Sequence, residues 1–143
     1  MSAEVCDSGG RLIGLQRMGN AIWASAYGSR GKAVASAAFG RPSGELTERA
    51  DQPTPRGIAV ASGGHMIMGQ GAVPSVRNSI VEGACGVGGV TSQQDEDCAR
   101  ADIAQLSSAR PCWRVSEPFL TIDRVHPRSL LPASPARRNA ASR

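Results

Sequence analysis

Apolar and polar positions change their period several times along the chain, and each change marks an element. Residues 3–6 and 11–16 are short apolar-bearing runs separated by Asp7-Ser8-Gly9-Gly10. Aspartate bonds its own backbone in such a turn and glycine tolerates positive φ, so the segment predicts a β-hairpin. Residues 25–39 are rich in alanine, with Tyr27, Ala35 and Ala38 along one side. That pattern predicts a short helix whose small residues permit close approach to a sheet. Gly28 and Gly31 within it cost about 1 kcal/mol each relative to alanine. Pro42-Ser43 opens a second short helix through Ala50, which Pro53-Thr54-Pro55 is expected to close.

A glycine-rich stretch follows from Gly57 to Gly71, in which residues 66–68 and 73–77 read as one interrupted strand. Arg77-Asn78-Ser79 turns the chain into a strand over residues 80–90 that carries Gly83, Gly86, Gly88 and Gly89. Thr91-x-x-Gln94 fits a capping box, and Asp95, Glu96 and Asp97 suit the positive end of a helix dipole. Ala99, Ile103 and Leu106 then recur on one face, so a helix is predicted over residues 92–107. Strand, strand, helix, helix, strand, strand, helix predicts an α/β fold of the α+β type, with helices segregated on one sheet rather than alternating with parallel strands.

Composition divides the chain. Its 143 residues suffice for one core, with only five aromatic residues to fill it. All 17 glycines lie at or before Gly89, whereas five of the nine prolines lie in residues 104–143. Residues 1–103 hold nine Lys and Arg against ten Asp and Glu, while residues 104–143 hold seven Arg against two acids. The net charge of +4 therefore belongs to the tail. A domain over residues 1–107 and a disordered basic tail over residues 108–143 are expected. The tail's arginines are scattered apart from Arg137 and Arg138, which argues against nucleic acid as a partner. No apolar run reaches membrane-spanning length and no leader pattern opens the chain, so a cytoplasmic location and no membrane partner are expected.

Cys6, Cys85, Cys98 and Cys112 include no C-x-x-C pair, and no zinc site can be read from them. In a reducing compartment they stay free, with Cys85 buried in a strand; a secreted form could pair them in any of three connectivities. Ser29-Arg30-Gly31-Lys32 matches the S-x-x-K of penicillin-recognising enzymes, but S-D-N and K-T-G partners are missing, so the match is chance. Gly86-Val87-Gly88-Gly89 fails the dinucleotide spacing, and these glycines read as room for a helix or a flat ligand against the strand.

Three stretches in order, DSGGRLIGLQRM (7–18), GKAVASAAFGRPSGEL (31–46) and GQGAVPSVRNSIVEGACGVGGVTSQQDEDCARADI (69–103), resemble the GlcG/HbpS-like family, also called the haem-degrading domain. It is similar to the C-terminal part of some PduO-type cobalamin adenosyltransferases. The resemblance implies a central antiparallel sheet flanked by helices, assembling as dimers or larger rings, with haem as cofactor and haem degradation or redox sensing as roles. Family members begin with a long helix before the first strand, and a histidine on or near it is thought to ligate iron. Here Met1 falls only a few residues before the DSGG turn, so the domain is expected to lack that helix and to expose apolar sheet surface that drives self-association. Arg77-Asn78-Ser79 and Asp102 also depart from the family pattern.

Lys32, in the GKA segment, is a candidate partner for a haem propionate or a substrate carboxylate, or else a structural cap for Asp7. His65 is the candidate iron ligand, with Met66 or Met68 as a thioether alternative. His126, before a proline in the tail, is a much weaker candidate. A second reading places Asp7, Arg17 and Lys32 around a small carboxylate-bearing substrate, as in an enzyme or accessory protein of small-molecule catabolism. A third is a non-catalytic oligomeric scaffold. The sequence leaves open whether the chain is an enzyme.

Overall fold

The computed structural model describes residues 1–108, so residues 109–143 of the expected tail, with Cys112 and His126, lie outside the described residues. Strands β1 (Ser2–Asp7) and β2 (Leu12–Arg17) form the first hairpin. Its turn is held as the sequence predicts: Asp7 Oδ1 accepts the N–H groups of Gly9 at 2.8 Å and Arg11 at 2.9 Å, and Gly10 has φ 73°. Strands β3 (Ala72–Arg77) and β4 (Ile80–Gly88) form the second, with Arg77 paired to Ile80 across a two-residue turn. Asn78 and Ser79 both have positive φ there, at 51° and 64°, the hand that matches strand twist in a type I′ turn. The sheet is antiparallel throughout, in the order β2-β1-β4-β3.

Helices cover both faces. Helix α1 (Ala24–Phe39) lies on one, where Cys6, Ala33, Ala37 and Ala84 cluster. Helix α3 (Ser92–Ser108) lies on the other, over Val73, Cys85, Val87 and Ala99, with Ala3, Val5 and Ile103 packed beside them. The predicted capping box is present: Thr91 N–H donates to Gln94 Oε1 at 3.3 Å and Gln94 N–H to Thr91 Oγ1 at 3.4 Å. A 3₁₀ helix (Ser43–Arg49) and helix α2 (Pro53–Ala61) connect α1 to β3.

Four local expectations need correction. Pro53-Thr54-Pro55 starts a helix rather than merely ending one, because proline lacks only an N–H that the first turn leaves unpaired. Residues 66–68 are not strand; Ile67 N–H instead donates to the Gly31 carbonyl of α1 at 2.9 Å. Tyr27 and Ala38 are exposed, and only Ala35 of the three faces inward. The buried side of α1 includes Ser25, Ser29 and Ser36, whose hydroxyls donate to the carbonyls of Ile22, Ala26 and Arg41 and so need no outside partner. Leu106, expected on the inner face of α3, is 50% exposed.

Every residue of β2 is exposed, including Leu12, Ile13 and Leu15. An open hollow of about 740 Å³ runs between this strand and the end of α3, lined by Ala3, Val5, Ile13, Gln16, Asp102 and Leu106 among others. Among the described residues no helix is long and apolar enough to cross a membrane.

Candidate functional site

The expected site residues fall in three separate places. Lys32 points from α1 along the sheet toward α3, where its Nζ donates to Asp95 Oδ2 at 2.9 Å and to the Gln70 carbonyl at 3.2 Å. Both side chains are nearly closed to solvent, at 10% and 5% exposure. Asp95 also accepts the Val90 N–H at 3.2 Å, tying the start of α3 to the end of the sheet. Gly71, at φ 130°, leaves the space that the ammonium occupies. Lys32 is therefore a structural ion-pair partner, but of Asp95 and not of Asp7.

Asp7 holds its own turn and makes a long, exposed ion pair with Arg11 at 3.9 Å. Arg17 pairs with Ser2 at the opposite end of the same hairpin and donates to the Ala21 carbonyl at 3.4 Å. Asp7, Arg17 and Lys32 do not converge on one substrate.

His65 is exposed and follows Gly63 and Gly64, both in the left-handed region at φ 73° and 75°. Met66 and Met68 turn together into a hollow of about 260 Å³ against α2, lined also by Ala59, Val60, Gly64 and Arg56. Two thioethers, an adjacent imidazole, an apolar wall and a guanidinium thus lie within one short segment and the helix before it. These donor types fit haem: imidazole or thioether for iron, guanidinium for a propionate. The hollow is smaller than the roughly 300–1,000 Å³ of ordinary small-molecule sites, so it can seat only part of a porphyrin.

Sequence reasoning missed Arg56, Asp95 and an acidic cleft. That cleft, of about 690 Å³, lies between the 3₁₀ helix and α3, with Glu45, Glu48 and Glu96 in its wall. Arg100 partly neutralises it by pairing with Glu96 one helical turn away. Only this i, i+4 spacing was a usable signal.

Cys6 and Cys85 are too deeply buried to be candidates for chemistry. Cys6, Cys85 and Cys98 are free thiols. Burial, aided by the nearby Asp102 carboxylate, pushes the Cys85 thiol up to about 12, so it stays protonated and inert near neutrality. Among the described residues no group of three or more His, Cys, Asp or Glu side chains could hold a metal ion.

A four-stranded antiparallel sheet between helices, with its open hollows at the periphery, defines a small α+β domain. The chain belongs to the family described as haem degrading protein HbpS-like, whose model matches residues 1–104. Its fold is similar to the crystal structure of Klebsiella pneumoniae protein ORFY, of the DUF336 family model, at 30% identity and TM-score 0.68, covering 76% of each chain. It is also similar to the protein in a PduOC:heme complex, at 26% identity and TM-score 0.64 over 72% of this chain and 75% of that one. A double mutant of HbpS from Streptomyces reticuli, at 24% identity and TM-score 0.64 over 73% and 70%, shares the fold. No curated protein matches the chain.

Proposed function

We propose that this protein binds haem at the hollow between α2 and residues 64–68, where His65 would ligate the iron and Arg56 would pair with a propionate. The observation that carries the reading is the convergence of Met66, Met68 and the guanidinium-bearing Arg56 on one apolar hollow, with the exposed His65 next to Met66 in the chain. Membership of the HbpS-like family and likeness to a protein crystallised with haem support it. Bound haem supplies iron-centred redox chemistry; the protein contributes ligation, charge pairing and an apolar wall. Because the hollow is small and open, binding would be weak, and Met66 or Met68 would offer a thioether to the iron besides the His65 imidazole. The exposed apolar residues of β2 also support self-association, which belongs to this reading only as a way of enclosing more surface.

His65→Ala is expected to shift the Soret band of the bound haem, because axial ligation sets the spectrum. Arg56→Ala should instead lower affinity several-fold with the band unmoved, since an exposed ion pair contributes only about 0.2–1 kcal/mol. Absorbance titration checks both. An unchanged band in the His65 variant rules that residue out.

A further inference from the structure

Strand β1 places Ser2, Glu4 and Cys6 on the face beneath α1. Ser2 is satisfied by a 2.6 Å hydrogen bond to Ser25, and Cys6 sits among small apolar side chains. Glu4 is different. Its side chain is wholly buried, and neither carboxylate oxygen has a hydrogen-bond partner; among the described residues no other buried side-chain oxygen or nitrogen is left this way. On either side in the sheet its neighbours are Leu15 and Gly86, which carry no charge. From α1 it meets Arg30, whose Nε stands 3.9 Å from Oε1, too far for a hydrogen bond, with 45% of that side chain in solvent. Burial raises the Glu4 carboxyl above its ordinary range, the Arg30 charge only partly opposing this.

An isolated buried carboxylate is costly unless a donor or a cation meets it. The space for such a group lies beyond Arg30 and Leu15, the two neighbours that stand between the closed Glu4 carboxylate and solvent. Arg30, Leu15, Ala26 and Tyr27 line an open hollow of about 290 Å³ on this flank of the sheet. Tyr27 is 69% exposed and meets Trp23 edge-on at 5.7 Å, leaving aromatic surface at the rim. A buried anion behind a loosely held arginine, with an apolar and aromatic entrance, is complementary to a cation bearing an apolar body.

We propose that Glu4 is the anchor of a binding site for small organic cations, amidinium, guanidinium or primary ammonium groups on an apolar body, with Arg30 as the counter-ion they displace. The incoming cation donates hydrogen bonds to the Glu4 oxygens that Arg30 does not reach. Its apolar part rests on Leu15, Ala26 and the Tyr27 ring, while Arg30 moves fully into solvent. The site is on the opposite face from α3 and uses none of the proposed haem residues.

Benzamidine is the probe, followed by the amide signals of β1, β2 and α1 during titration of the intact protein, with neutral benzamide as control. Wild type is expected to bind benzamidine and not benzamide. Glu4→Gln should weaken binding about tenfold or more, the loss expected for hydrogen bonds to a charged group. Tyr27→Ala should weaken it about two- to fivefold through loss of the aromatic contact. Arg30→Ala should tighten it several-fold by removing the competitor. If Glu4→Gln does not fold, the Arg30 and Tyr27 variants and the benzamide control still decide the matter. Equal binding of benzamidine and benzamide, undiminished binding by Glu4→Gln, weakened binding by Arg30→Ala, or no binding at millimolar benzamidine would each overturn the proposal. Soret titration of the same samples reads the haem site separately.

Discussion

Asp95→Ala is expected to lower unfolding stability by about 3–5 kcal/mol, the range for breaking a buried ion pair by removing one partner. The loss has two sources. Lys32 Nζ would keep only the Gln70 carbonyl as acceptor, a charged group left in a nearly closed site. The Val90 N–H would lose its acceptor where β4 passes into α3. Lys32→Ala should be nearly as damaging, since it strands the Asp95 carboxylate. Combining Lys32→Met with Asp95→Leu should recover most of the loss, because an apolar pair of similar volume leaves no charge unpaired. Urea unfolding midpoints measure all three. A single variant within about 1 kcal/mol of wild type would mean that the pair is solvated and not closed.

Gly86→Ala is expected to cost about 3 kcal/mol, the upper end for overpacking a filled interior. A Cβ on Gly86 would run into the Ser29 carbonyl oxygen and would stand 2.8 Å from the Ala33 nitrogen. Both belong to the backbone of α1, which cannot turn aside as a flexible side chain can. The internal control is Gly28 on the same helix. A Cβ there meets nothing within 4 Å, so Gly28→Ala should stabilise by about 1 kcal/mol through helix propensity. Thermal unfolding of the two variants, alike in chemistry and opposite in sign, checks the close approach of helix to sheet.

Local signals in the chain were legible and distant pairings were not. The Asp7 turn, the Thr91 capping box and the two hairpins each depend on residues within a few positions of one another. The Pro53-Thr54-Pro55 cluster was ambiguous because proline both stops a helix and suits its first turn. The inner face of α1 was misread at Tyr27 and Ala38 because serine counts as polar, although in a helix its hydroxyl can be satisfied by the turn before it. The Lys32–Asp95 pair spans 63 positions, and no periodicity connects them. In Gly31 the sequence shows a weakened helix, whereas the structure shows room for Ile67. Arg56 and the Met66–Met68 pair come together only through the fold of α2. Glu4 carried a visible mark, a charge at an inward position of a strand, but the absence of an adequate partner emerges only with α1 in place.

Glu4 apart, the face under α1 is made mostly of serine, alanine, glycine and cysteine, and this has a thermodynamic consequence. Small side chains give a close fit but little hydrocarbon, so unfolding this half of the domain releases comparatively little apolar surface to water. Apolar exposure raises the heat capacity of unfolding and polar exposure lowers it, to an average of about 12–15 cal/mol/K per residue. A seam closed by Gly86, Gly88, Ala33, Ser29 and Ser25 falls toward the low side of that range. The stability of this domain therefore varies along a shallow curve with temperature, held by shape more than by the amount of oil it hides.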